Sequence, residues 1–138
     1  MRFVAHLILS TRARKWTWFT FAAVFFVHLF LLYSPSSGMA SPFAGFDKLM
    51  HAVGFAALTT PLLLLGFRPL ATVLAMSAYA AISEFIQAFA VPGRSGEFVD
   101  WLADCLGILL AFGIWRALPA GDPLLGENGE PPRPPQWP

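Results

Sequence analysis

Asp47, Lys48 and His51, then Glu84 and Gln87, then Arg94 and Ser95, then Asp100 and Asp104 are polar residues at the ends of otherwise apolar runs. Ionisable side chains are costly where lipid is the solvent, so each is a functional-site hypothesis. Three readings fit these residue types. In the first, Lys48, Arg94, Gln87, Ser95 and the backbone N–H groups of the turn Pro92-Gly93-Arg94-Ser95-Gly96 hold a phosphate. Glycine-rich turns form anion nests, and the arginine fork matches phosphate oxygens. His51 and Glu84 then serve as catalytic acid and base, with Asp47, Asp100 and Asp104 in support. In the second, Asp47, His51, Glu84, Asp100 and Asp104 bind a divalent cation through nitrogen and oxygen, with no motif deciding which of them converge. In the third the cluster is structural: Lys48 and Arg94 neutralise Asp100 and Asp104, while Gln87 and His51 hydrogen-bond between helices. Counting Glu97, five acids face two permanent cations, an excess that a neutral Glu84 or a bound cation would relieve. Neither a metal nor a cofactor is assigned by these residues alone.

The elements that must carry this chemistry are membrane spans. The 138 residues are 57% hydrophobic and 12% charged, against about 25% charged in ordinary soluble domains. Lipid removes the need to cover so much apolar surface. The pattern predicts an all-α membrane protein of one domain: a basic leader (1–15), four transmembrane helices (about 16–33, 48–67, 70–91 and 98–117) and a Pro-rich tail (119–138). Trp16, Trp18 and Tyr33 ring the first span, and His28 inside it reads as a helix-packing residue. Gly38-Met39-Ala40 resembles a signal-peptide cleavage site, but the apolar run before it exceeds the ~7–15 residues of such peptides, so retention is expected. Asp47 is placed to cap the second span, and Pro61 to kink it. The lone Cys105 excludes an internal disulfide and a cysteine metal cluster.

Charge sets the expected orientation. With the N-terminus in the cytoplasm, Arg2, Arg12, Arg14, Lys15, Arg68, Arg116 and Arg133 lie inside, and only Lys48 and Arg94 lie outside. Both termini are then cytoplasmic, and all the polar candidates share the outer face. Helical spacing aligns Asp47, His51, Gly54 and Leu58; then Ser77, Ala80, Glu84 and Gln87; then Asp100, Asp104, Gly107 and Ala111. Each polar pair continues inward as a stripe of mainly small residues, which lets membrane helices approach closely. The basic residues form no stripe interleaved with exposed aromatics, so nucleic acid is not an expected partner.

Asp47-Lys48-x-x-His51, Glu84-x-x-Gln87, Pro92-Gly93-Arg94-Ser95 and Asp100-x-x-x-Asp104-x-x-Gly107, in that order, resemble the VanZ-like family of small bacterial membrane proteins. The likeness runs from about Asp47 to Arg116. It implies a helical protein of the bacterial cytoplasmic (inner) membrane. The family's founding member is linked to resistance to the glycopeptide teicoplanin, with no established reaction. The family often has Asn where this chain has Asp104, so a neutral hydrogen-bonding role at that position requires a protonated Asp104, the alternative being a pairing with Lys48 or Arg94.

The expectation from these readings is an envelope protein whose outer pocket binds or modifies a lipid-linked or headgroup phosphate, with membrane lipids as its partners. A rival from another class is a non-catalytic accessory subunit of a larger membrane protein complex, motivated by small size and a tail ending near Trp137. Ion or proton transport is a third. It would need a polar path beyond Thr59 and Thr60, the deepest continuation of the outer cluster.

Overall fold

In the computed structural model, which describes residues 11–35 and 42–118, the chain forms four helices: α1 (Thr11–Tyr33), α2 (Phe46–Leu64), α3 (Pro69–Ala90) and α4 (Phe98–Ala117). No strand occurs among the described residues. The start of the basic leader, Gly38-Met39-Ala40 and the Pro-rich tail with Trp137 lie outside them. Among the described residues, three segments are long and apolar enough to cross a membrane: Arg12–Tyr33, Pro69–Ala90 and Phe98–Ala117. The helix that falls short is α2, where Asp47, Lys48 and His51 occupy the first two turns.

The ends of the helices follow from local chemistry. α1 includes Thr11 to Lys15, upstream of the expected Trp16, because Arg12, Ala13, Arg14 and Lys15 are all good helix formers. The Arg14 guanidinium reaches the Leu65 carbonyl at 3.4 Å, placing a cation at the negative end of the α2 dipole. Asp47 is not the cap of α2. Gly45, left-handed at φ 84°, holds that position, and Asp47 sits inside the first turn, where its charge still suits the dipole. α2 ends at Leu64 in a Schellman motif: Gly66, at φ 88°, donates to Leu63 O at 3.1 Å, and Phe67 to Leu62 O at 3.3 Å. Pro69 opens α3 at a position that needs no N–H. Pro61 is buried within α2, which continues through it; the Thr59 and Thr60 hydroxyls donate to Phe55 O and Ala56 O in the preceding turn.

Phe55 and Leu58 of α2, Met76 and Ala80 of α3 and Ile108 of α4 form the buried core, with Phe21, Val24 and Phe25 of α1 packed against it. The most extensive contact joins α2 and α4. Gly107 makes it feasible: a Cβ there would strike the Ala52 carbonyl. At Gly54, a Cβ would meet His28 Nδ1 at 2.8 Å. His28 is buried and packs edge-on to the Phe55 ring at 4.9 Å, the packing role expected of it.

Burial is inverted relative to a soluble bundle. Phe19, Phe26, Phe30, Leu70, Leu74, Phe89, Leu106 and Ile114 point outward, while Glu84, Gln87, Asp100 and Asp104 are buried. Water would not tolerate that outer surface, and hydrocarbon would.

Candidate functional site

Cross-helix contacts gather the C-terminal ends of α1 and α3 with the N-terminal ends of α2 and α4 at one end of the bundle. Every candidate residue of the sequence lies there. They divide into three groups.

The first centres on Lys48, whose ammonium sits 2.7 Å from Asp100 Oδ1, 3.3 Å from Glu97 Oε2 and 3.9 Å from Asp47 Oδ2. Asp100 is buried, so its bond to Lys48 is the one shielded from solvent; Glu97 and Asp47 are exposed at the rim. The hydrogen bond from Lys48 holds the Glu97 carboxyl below its ordinary range, and the Ser95 hydroxyl adds a weaker contact at 3.3 Å. Lys48 is one cation among three acids.

The second group is deeper. His51 Nδ1 lies 2.9 Å from Asp104 Oδ1 and 3.5 Å from Glu84 Oε1. The relative exposures are 6% for His51, 8% for Glu84 and 0% for Asp104, so α2, α3 and α4 each deliver one side chain to a dry point. Glu84 also accepts from the Glu97 N–H at 2.9 Å, which ties the end of α3 to the start of α4. Its carboxylate therefore stands at the positive end of the α4 dipole. Gly96 makes this tie close: a Cβ there would strike the Glu84 backbone carbonyl.

The third group fastens α1. Arg94 donates from Nε to Ser34 O at 3.1 Å and from Nη2 to Leu31 O at 2.8 Å, and Gln87 Nε2 donates to Leu32 O at 2.8 Å. These are the carbonyls that the last turn of a helix leaves unpaired. Arg94 and Asp104, assigned to one structural cluster in the sequence, are thus in different groups.

Among the cavities at this end, one of about 450 Å³ between α3 and α4 borders Glu84, Gly96 and Glu97, and two others share residues. The first of these two, of about 260 Å³, is lined by Asp47, His51, Gln87, Gly93, Arg94, Ser95, Glu97 and Asp100. The other, of about 370 Å³, is an apolar groove between α1 and α2, walled by Val24, Val27, Leu31, Met50, Val53 and Ala57. Asp47, His51 and Arg94 line both, so the polar chamber and the apolar groove meet along them. Sequence reasoning did not find this groove. α1 carries no polar motif, and its carbonyls at Leu31, Leu32 and Ser34 give no residue-type signal; only His28, set in an apolar run, hinted that α1 packs against the others.

Several chemistries are open to the arrangement. Asp47, His51 and Asp100, and separately His51, Glu84 and Asp104, bring ligand atoms within 4.8 Å of one another, close enough to hold a metal ion. In the Pro92–Gly96 turn, Gly93 is left-handed at φ 74°, and the N–H groups of Gly93, Ser95 and Gly96 have no acceptor among the described residues. Such N–H groups suit an anion.

Compared with known proteins, the chain matches a family model described as VanZ/LLP1 over residues 3–119. No curated protein and no solved structure matches it.

Proposed function

The chain belongs to the VanZ/LLP1 family and is a membrane protein, and from that premise we propose that it binds a lipid-linked or headgroup phosphate at the outer end of its bundle. In this reading it is a multi-pass protein of the bacterial cytoplasmic membrane, with four spans and both termini inside. The observation that carries it is the junction of an apolar groove with a polar chamber along Asp47, His51 and Arg94. An amphiphile has that shape: its chain lies between α1 and α2, and its headgroup turns into the chamber.

Charge alone does not favour an anion there, since Asp47, Glu97 and Asp100 line the chamber beside Arg94. The donors do. A guanidinium has five N–H bonds, and two from Arg94 go to α1 carbonyls, leaving three for phosphate oxygens. Gly93 and Ser95 of the turn line the same chamber. Lys48 joins them if the headgroup takes the place of exposed Glu97, its weaker partner. His51 and Glu84, just below, are the pair that would move a proton if the bound ester is also hydrolysed or transferred.

The test is retention of lipids by the purified chain in nanodiscs: phosphatidic acid against diacylglycerol with the same acyl chains. Wild type should prefer the phosphate. Arg94→Ala, with helicity unchanged by circular dichroism, should weaken that preference at least tenfold, since a charged hydrogen bond contributes roughly 1.5–3 kcal/mol. Val27→Trp, which fills the groove, should weaken retention of both lipids. Equal retention of the two lipids by wild type removes the reading. The accessory-subunit alternative would appear instead as a stoichiometric protein partner after purification in mild detergent.

A further inference from the structure

We propose that His51, Glu84 and Asp104 form a binding site for one divalent cation of the zinc or manganese class, buried between α2, α3 and α4 beneath the polar chamber. The three ligand atoms lie within 4.8 Å of one another, and the two separations from His51 are close to those around a single ion. Two donors about 2.0–2.1 Å from one metal, at tetrahedral to octahedral angles, lie about 2.9–3.4 Å apart. His51 Nδ1 is 2.9 Å from Asp104 Oδ1 and 3.5 Å from Glu84 Oε1.

The carboxylates themselves point to a missing positive partner. Asp104 Oδ2 and Glu84 Oε1 carry no hydrogen bond among the described residues, although Asp104 is 0% and Glu84 8% exposed. A buried carboxylate oxygen is normally paired or bound to a metal. The permanent cations of this end are engaged elsewhere, Lys48 with Asp100 and Glu97, Arg94 with α1 carbonyls. Two carboxylates and a neutral imidazole leave two negative charges, which one divalent ion cancels.

The surroundings fit as well. The Glu97 N–H holds Glu84 Oε2 at 2.9 Å, which orients the other oxygen toward His51. His51 also lines both cavities, giving an ion a way in from the chamber. One nitrogen and two carboxylate oxygens, with no thiolate, suit zinc or manganese. The alternative for the same residues is an imidazolium shared between two carboxylates, and the experiment separates them.

The full chain, purified in detergent and stripped with chelator, is titrated at pH 7 with Zn²⁺, Mn²⁺ and Mg²⁺, each alone. Expected is one equivalent of Zn²⁺ or Mn²⁺ per chain, with a rise in thermal midpoint. Binding should weaken at least tenfold in Glu84→Gln and in Asp104→Asn, while Asp47→Asn, at the exposed member of the neighbouring set Asp47, His51 and Asp100, binds as wild type does. Should Asp104→Asn lose helicity, Glu84→Gln decides the matter alone, since Glu84 lies nearer the surface. Absence of stoichiometric binding by wild type, or undiminished binding in Glu84→Gln, overturns the proposal and leaves the imidazolium bridge. The inference does not rest on the phosphate reading: cation titration without lipid and lipid retention without added cation fail independently.

Discussion

Lys48 shows how a single side chain is divided between a structural and a functional duty. Its bond to Asp100 is buried on the acid's side, and its bond to Glu97 is open at the rim. Removing it strands Asp100, which is 4% exposed, and an uncompensated buried charge costs about 3–5 kcal/mol. Lys48→Met should therefore lower stability in detergent by a few kcal/mol, with the lower part of that range expected because the lysine itself is partly solvated. Adding Asp100→Asn should return most of the loss. Unfolding midpoints of the two single variants and the double variant form the cycle that checks it. Additive losses would mean that the pair is not coupled. At this scale the sequence was half legible. Residue types and their shared end could be read because lipid makes polar residues conspicuous. Partner choice could not: the structural reading pairs Arg94 with acids and the phosphate reading with an anion, whereas its guanidinium faces the carbonyls of Leu31 and Ser34, which no residue type reveals.

Between helices, the site depends on how close α2 and α4 come, and that is set by Gly107. A methyl group there would collide with the Ala52 carbonyl, part of the helix backbone, which cannot swing aside as a side chain tip can. Overpacking of this kind costs about 1–3 kcal/mol. It would also move Asp104, one turn earlier on α4, away from His51. Gly107→Ala should destabilise the bundle by that amount. Gly113→Ala, on the same helix with open space around it, should be neutral or stabilising by about 0.5–1 kcal/mol, because alanine is the better helix former. Equal effects at the two glycines would show that helix propensity, not approach, governs α4. The spacing of Gly107 below Asp100 and Asp104 was legible as a stripe of small residues. The ends of α1 and α2 were less so: leader residues of good helix propensity joined α1, and the left-handed glycines at 45 and 66, not Asp47 and Phe67, mark where α2 begins and stops.

Across the whole molecule, the decisive property is that polar groups lie within and apolar groups without, which makes the bundle stable in lipid and fixes where its chemistry can occur. α2 is the informative case. At about 1.5 Å per residue its 19 residues reach about 28 Å, close to a hydrocarbon core of about 30 Å. Its lower apolarity comes from Asp47, Lys48 and His51, of which Lys48 and His51 pair with acids of α3 and α4. Its two ends also touch opposite ends of the bundle, Lys48 meeting Asp100 at the start of α4 and Leu65 meeting Arg14 at the start of α1. A helix so placed should cross the membrane with its neighbours. With four crossings the Pro92–Gly96 turn and the Gly66–Arg68 turn would lie on opposite sides, and the excess of Arg and Lys near the second turn would put that side in the cytoplasm. Single cysteines at Ser95 and at Phe67, in a Cys105→Ala background, test this in intact cells with a membrane-impermeant maleimide. The Ser95 position should label from outside, and the Phe67 position only after permeabilisation. Labelling of both positions from outside would mean that α3 does not span. The reverse pattern would turn the chamber toward the cytoplasm, where its ligand would have to be a phosphate presented by the inner leaflet.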